Sequence, residues 1–366
     1  MRIAHVIGRL GIGGAERHFV NLLNALDDCD RVAILLSPPA HGPALEHLLD
    51  SRIEVLRHPV RKRRLPTDMA GLVQLLRSRS LDVVHCHMFW ASCYGSVAAR
   101  LAGVPVVVTT EHGENRWKRG WHRWIERRII SPRVDRRFCV SPAILARRRD
   151  DEGIPASKLK LMPNGVPLPD LAARETGPVP VIGAVGRFVP QKAFDRLVEA
   201  AALLRDRCLD FRLVIIGDGP ELLAVKEKVA MFGLAERVRL PGYTTAVNAQ
   251  LAKMDIFASS SIQEGLPVAL LEAMSWGLPI VATDVGAVAS AVGAEAGRIV
   301  APGNPTALAA ALEELLVSQA LRAALGAAAR RRVEREFSIA SIARRHRDTY
   351  RSLLAARPTP QAGVVR

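Results

Sequence analysis

The stretch 255-DIFASSSIQEGLPVALLEAM-274 decides how this chain is read. The short apolar run 255-DIFAS-259 predicts a buried strand, and 260-SSIQEG-265 predicts a loop. Pro267 suits the first turn of a helix running over 267–276. A strand that feeds a helix through such a loop is half of a βαβ unit. Ligands of open parallel sheets bind at the carboxyl ends of the strands, so this loop belongs at a binding edge. It carries two acids eight positions apart, Glu264 in the loop and Glu272 near the second helical turn. Free N–H groups around Gly265, Leu266 and Val268 point the same way and suit an anion or a hydroxyl-rich ligand. A glycosidase pair must flank one bond from opposite sides, which this placement does not offer. The rest of the helix is apolar, which argues against Glu272 as a merely solvated charge.

The same grammar extends over the chain. Candidate strands 2–8, 31–36, 53–56, 82–87, 105–110 and 137–140 alternate with helical patterns such as 15–26 and 69–79. The pattern breaks in the Pro-rich stretch 163-PNGVPLPDLAARETGPVP-180. A second series follows, with strands 181–186, 211–217, 237–240, 255–259 and 279–283 and helices 193–207, 220–232 and 267–276. The expectation is an α/β chain of two doubly wound parallel-sheet (Rossmann-like) domains facing a cleft. The domains are 1–168 and 181–337, with a linker over 169–180. A helix over 338–356 and a flexible tail over 357–366 complete the chain.

Composition bounds the class. The net charge is +15, and residues 1–170 hold 27 Lys/Arg against 17 Asp/Glu, so the basic excess leans to the first half. That favours an anionic partner: phosphorylated substrate, anionic lipid or nucleic acid. Five cysteines without a CxxC fit reduced thiols in the cytoplasm better than a disulfide framework. The apolar runs are too short to span a bilayer, and the opening MRIAHVIGRLGIGG reads as a strand and loop rather than a signal peptide.

Two further βα turns could serve a ligand. In 183-GAVGRFVPQKAFDRLVEAAALL-204 the loop after the strand offers Arg187 and Lys192 ahead of a helix start. These are either a diphosphate cradle or solvated cations. In 213-LVIIGDGPELLAVKEKV-229 the Gly-Asp-Gly turn reads as a tight βα connection.

Together these residues are a resemblance. The E-x7-E run 264-EGLPVALLEAMSWGLPIVATDVG-286 resembles the signature of the retaining GT-B glycosyltransferases of family 4. The segments 13-GGAER-17, 161-LMPNGV-166, 186-GRFVPQK-192 and 240-LPGYTTAV-247 agree in the same order. The resemblance implies that Arg187 and Lys192 grip the donor diphosphate, Glu264 contacts the transferred sugar and Glu272 accepts from the nucleotide ribose. It implies that the backbone from Gly265 through Leu266 and Pro267 to Val268 holds sugar and phosphate. It also implies that the glycine pair Gly13-Gly14 lets backbone approach the phosphates and that His112 faces the sugar. Two positions depart from the pattern: Ala193 stands where Gly is usual, and 286-GAVAS-290 replaces G-G-x-P-E.

The reaction implied is same-face transfer from a nucleoside-diphosphate sugar, a UDP-sugar, to a lipid-linked or polysaccharide acceptor. The leaving phosphate takes the acceptor's proton, and neither metal nor cofactor is needed. The only D-x-D, 28-DCD-30, lies away from the strand carboxyl ends and reads as structural. In 85-HCHM-88 alternation puts His85 and His87 on one strand face, with no third metal ligand evident. A dinucleotide fingerprint fails at Glu16. The stretch 116-RWKRGWHRWIERR-128 interleaves Trp117, Trp121 and Trp124 with six Arg/Lys. It reads as an ordinary domain helix burying its Trp, as an anchor for an anionic membrane surface, or as a single-strand binder. The localisation expected is cytoplasmic, peripheral on the inner face of the membrane. The rival from another class is a basic nucleic-acid-binding α/β module without transferase activity.

Overall fold

The computed structural model describes residues 1–38, 44–113, 118–173 and 177–357. The chain divides into two compact units, Met1–Pro163 with Ala340–Arg366, and Asn164–Ile339. The tail expected over 357–366 lies, beyond Arg357, outside the described residues.

The first unit is built on a seven-stranded parallel sheet. Its strands are β1 (Arg2–Ile7), β2 (Asp30–Leu35), β3 (Glu54–Arg57), β4 (Val83–His87), β5 (Val106–Glu111), β6 (Arg136–Cys139) and β7 (Leu159–Leu161), in the order β3-β2-β1-β4-β5-β6-β7. β-Branched runs such as 106-VVV-108 suit central strands buried on both faces. Between β1 and β4 the winding reverses, and His5 pairs in register with His85. The helix Ile339–Ala355 returns to this unit with Tyr350 fully buried. Lys160 Nζ donates to Thr349 Oγ1 at 2.8 Å, and Arg347 pairs with Asp28 at 2.7 Å. Asp28 of the D-x-D thus anchors a helix.

The second unit carries a six-stranded parallel sheet. Its strands are β8 (Val181–Val185), β9 (Arg212–Ile216), β10 (Val238–Gly242), β11 (Ile256–Ser259), β12 (Ile280–Thr283) and β13 (Gly297–Val300), in the order β10-β9-β8-β11-β12-β13. Phe188, Leu197, Leu213, Ile215 and Leu312 lie in its core. The winding reverses between β8 and β11, so the loops after these two strands flank the position where doubly wound sheets bind ligands.

The structure adds to the sequence reading at three places. Strands β7 and β13 do not stand out in the sequence, one being three residues long and the other opening on Gly297. The chain division falls at 163/164 rather than at 168. The stretch after Pro163 is bonded into the second unit: Val166 N donates to Phe337 O at 2.9 Å and Ile339 N to Val166 O at 2.8 Å. Residues expected as linker include a short 3-10 turn, Leu171–Ala173. And the Trp-bearing segment, whose helical run is Gly120–Ile125 continued by a π-helical turn over Glu126–Ile130, leaves Trp121 50% and Trp124 58% exposed. Trp117 lies outside the described residues.

That segment is held from below by buried charge. Glu126 accepts from Lys118 Nζ at 2.8 Å and from Arg137 at 2.6 Å, and Arg148 joins it to Glu111 and Glu152. Burial alone would raise the Glu126 carboxyl, but Arg137, Arg148 and Lys118 hold it well below the carboxylate range. Removing one partner of a buried ionic network leaves uncompensated charge. Glu126→Gln is therefore expected to destabilise the first unit by about 3–5 kcal/mol in urea unfolding. A loss below about 1 kcal/mol would mean that the network is solvated after all.

Candidate functional site

In the second unit the residues of the candidate site lie on the loops after β8 and β11 and on the helix that follows β11. Lys192 closes a 3-10 turn, Pro190–Lys192, and its ammonium donates to Glu264 Oε1 at 2.6 Å. Ser261 Oγ donates to the same oxygen at 2.7 Å. The loops are stapled by backbone as well, with Ile262 N donating to Gln191 O at 2.8 Å and Ser260 Oγ to Lys192 O at 2.9 Å. Arg187 is exposed, and its guanidinium makes no hydrogen bond or ion pair among the described residues.

Glycines fix the approach of these loops. Gly217 (φ +145°) and Gly219 (φ +154°) press on the 186–188 backbone, and an added Cβ would stand 1.8 Å from Gly186 O and 2.4 Å from Phe188 O. Phe188 N also donates to Asp218 O at 2.9 Å. The Gly-Asp-Gly turn is thus the buttress of the Arg187 loop. Gly286 (φ +59°) does the same for Glu264 and Gly265, whose carbonyls would meet its Cβ at 2.3 and 2.7 Å. On the other side Asn164, buried, donates from Nδ2 to Leu266 O at 2.8 Å. Asn164 and Ser261, which sequence reasoning missed, contact the candidate site residues Leu266 and Glu264. Asn164 lies in the quoted LMPNGV segment, which marked it without giving its partner.

The helix after the loop is Val268–Ser275, with Pro267 at its cap. The N–H groups of Gly265, Leu266 and Val268 donate to no described residue, so this helix start keeps its donors open. Glu272 sits in its second turn, 7% exposed. The structure therefore brings Lys192 and Glu264 into contact and sets Glu272 on the helix that follows. Ala193 adopts a left-handed conformation (φ +45°, ψ +45°) where the family pattern has Gly. A Cβ in that region costs about 1–2 kcal/mol, partly offset by the greater freedom of unfolded Gly. Ala193→Gly should stabilise the second unit by up to about 1 kcal/mol; a destabilisation of that size would show the strain is absent.

In the first unit, Gly14 opens the helix Gly14–Ala25 behind an extended Gly13, and His112 follows β5, half-buried. The strand pairing supplies what 85-HCHM-88 alone did not show, a third imidazole. His5, His85 and His87 are buried, with one ring nitrogen of each lying within 4.8 Å of the others. His5 Nδ1 and His87 Nε2 are 3.0 Å apart, a hydrogen-bond distance, whereas ligands on ~2.0–2.1 Å zinc bonds stand roughly 3.4 Å apart. Both nitrogens of His85 are engaged, Nδ1 with Tyr350 Oη at 2.7 Å and Nε2 with Thr110 Oγ1 at 2.6 Å. The geometry is that of a hydrogen-bonded network rather than a ligand set.

Burial, reinforced by His18, lowers the His5 imidazole to about 3. Burial and neighbouring rings push His85, His87 and His346 well below 6.5. These rings stay neutral in the fold while the unfolded chain takes up protons below pH 6.5. Their contribution is thus intact above that value and is lost as pH falls. At about 1.4 kcal/mol per unit for each of four rings, stability should drop by roughly 5 kcal/mol from pH 7.5 to 5.5. Denaturant unfolding at the two values tests this; a flat response contradicts it.

Comparison with known proteins agrees with this architecture. Residues 12–169 match the family model Glycosyltransferase Family 4, and residues 179–318 match Glycosyl transferases group 1. A GDP-mannose-dependent alpha-(1-6)-phosphatidylinositol monomannoside mannosyltransferase of Mycobacterium tuberculosis is 31% identical over 284 residues, 71% of this chain and 73% of the relative. A UDP-Gal:alpha-D-GlcNAc-diphosphoundecaprenol alpha-1,3-galactosyltransferase of Escherichia coli is 29% identical over 318 residues, 78% and 80% of the two chains. The solved structure of Anabaena Alr3699/HepE in complex with UDP-glucose superposes with a TM-score of 0.83 at 20% identity, covering 96% of this chain and 100% of that one. Fold and relatives define a glycosyltransferase of GT-B type. The chain belongs to glycosyltransferase family 4.

Proposed function

We propose that this protein is a metal-independent retaining glycosyltransferase that takes its sugar from a UDP-sugar and passes it to a lipid-linked or polysaccharide acceptor. The observation that carries the reading is the contact of Lys192 with Glu264 at 2.6 Å, beside the exposed Arg187 and a helix start with open N–H groups. Departure of a nucleoside diphosphate leaves negative charge on its outer phosphate. Lys192, held by Glu264, together with Arg187 and a helix N-terminus, stabilises that charge where it develops, without a metal. Glu264 offers its second oxygen, Oε2, to a sugar hydroxyl, and Glu272 accepts from the ribose. Gly265, Leu266, Pro267 and Val268 present backbone to sugar and phosphate. The phosphate oxygen, once freed, accepts the acceptor's proton on the same face. In the first unit, Gly14 and His112 are assigned to the same reaction.

The UDP assignment is supported by the solved complex with UDP-glucose and by the Escherichia coli relative; the mycobacterial relative is named for GDP-mannose. For the acceptor, the Escherichia coli and mycobacterial relatives are named for lipid-linked substrates. An anionic membrane surface is the partner we infer for Trp121 and Trp124, which stand exposed among Arg119, Arg123, Arg127 and Arg128 with Trp90 6.1 Å from Trp121. Among the described residues no helix is long and apolar enough to cross a membrane.

A thermal-shift panel of UDP-, GDP-, ADP- and TDP-sugars should single out the UDP compounds. With that donor, Lys192→Ala and Glu272→Ala should each lower kcat/KM at least ~10-fold, and EDTA should not change the rate. Wild-type kinetics in either variant would remove the site assignment, and an EDTA loss restored by Mn2+ would remove metal independence.

A further inference from the structure

Behind His112 the first unit buries imidazoles that the transfer scheme does not use. His5 on β1 and His87 on β4 lie with Nδ1 and Nε2 3.0 Å apart, and His87 Nδ1 is 3.2 Å from His112 Nε2. His5, His85 and His87 are inaccessible to solvent. Around the row stand His18 from the helix Gly14–Ala25, His85 on β4, Thr110 on β5, and His346 and Tyr350 from the last helix, with Arg345 next to His346.

A neutral imidazole has one N–H and one lone pair. His87, engaged at both nitrogens, must donate to one neighbour and accept from the other. If His5 carries its proton on Nδ1, then His87 and His112 do too; if His112 donates from Nε2, the other two carry theirs on Nε2. The three rings therefore share one tautomer. His5 Nε2, at the closed end, has no partner among the described residues. No proton enters or leaves there, so the row holds a tautomer rather than conducting protons.

We propose that His5 and His87 are positioning residues that fix the tautomer and ring orientation of His112 for glycosyl transfer. This rests on the reading that His112 acts in that reaction. It extends the site to residues on β1 and β4 that never meet the substrate. The tautomer of a histidine is set by the hydrogen bond its other nitrogen makes, and a misplaced group loses much of its catalytic effect.

The test uses the whole protein labelled with [ring-15N]histidine. Multiple-bond 1H–15N correlation at pH 8 should show His5, His87 and His112 in the same tautomer. His87→Gln keeps an amide near the Nε2 position and loses the bond to His112; His87→Asn keeps one near Nδ1 and preserves it. The glutamine variant should leave His112 in a mixture of tautomers and lower kcat about ten- to hundredfold with donor KM unchanged. The asparagine variant, folding under the same loss of a ring, should retain most of the rate. Unlike tautomers among the three rings would overturn the proposal, as would a His112 indifferent to His87→Gln or a stoichiometric metal lost in His5→Asn. Wild-type turnover in His112→Ala would instead remove the role of His112 itself, whereas loss there with wild-type turnover in His87→Gln would remove only the positioning role.

Discussion

A carboxylate held at the end of a buried strand needs a counter-charge. Glu264 meets this with the Lys192 ammonium at 2.6 Å and the Ser261 hydroxyl at 2.7 Å, all on one oxygen. That contact ties the loop after β8 to the loop after β11 across the reversal of the sheet. Once it is in place, the remaining features of the second unit follow as supports. Gly217 and Gly219 let the backbone pack under Arg187, Gly286 lets it pack under Glu264, and Asn164 holds the loop at Leu266. The pair sets one cation and one acid side by side, while Arg187 and the helix donors keep no partner among the described residues.

The alternation of apolar runs and helical patterns made the doubly wound fold legible, because buried parallel strands need continuous apolar stretches and their crossovers need helices. The placement of Glu264, Arg187 and Lys192 was legible because a βα loop sets its residues at the sheet edge whatever the rest of the chain does, and that of Glu272 because the helix follows the loop directly. What could not be read was anything set by distant pairing. The ring of His5 meets that of His87 only because β1 pairs with β4, a contact spanning some eighty residues. Asn164 meets Leu266 across a still longer separation. The attachment of the Pro-rich stretch at Val166 to Phe337 and Ile339 was hidden for the same reason.

The two units differ in how they treat polarity. The second fills its core with aliphatic and aromatic side chains. The first sinks a six-member ionic network and a row of neutral imidazoles into its interior. Most of these buried groups meet a partner, His5 Nε2 being an exception among the described residues, and a well-matched network specifies one arrangement while an unmatched group is costly.

Calorimetric titration of UDP against the wild type, Glu264→Gln and Lys192→Gln bears most directly on the central claim. If the ammonium is shared between Glu264 and a bound diphosphate, neutralising the acid frees it, so Glu264→Gln should bind UDP at least as tightly as the wild type while losing transfer, and Lys192→Gln should lose both. Equal loss of UDP affinity in the two variants would contradict the account.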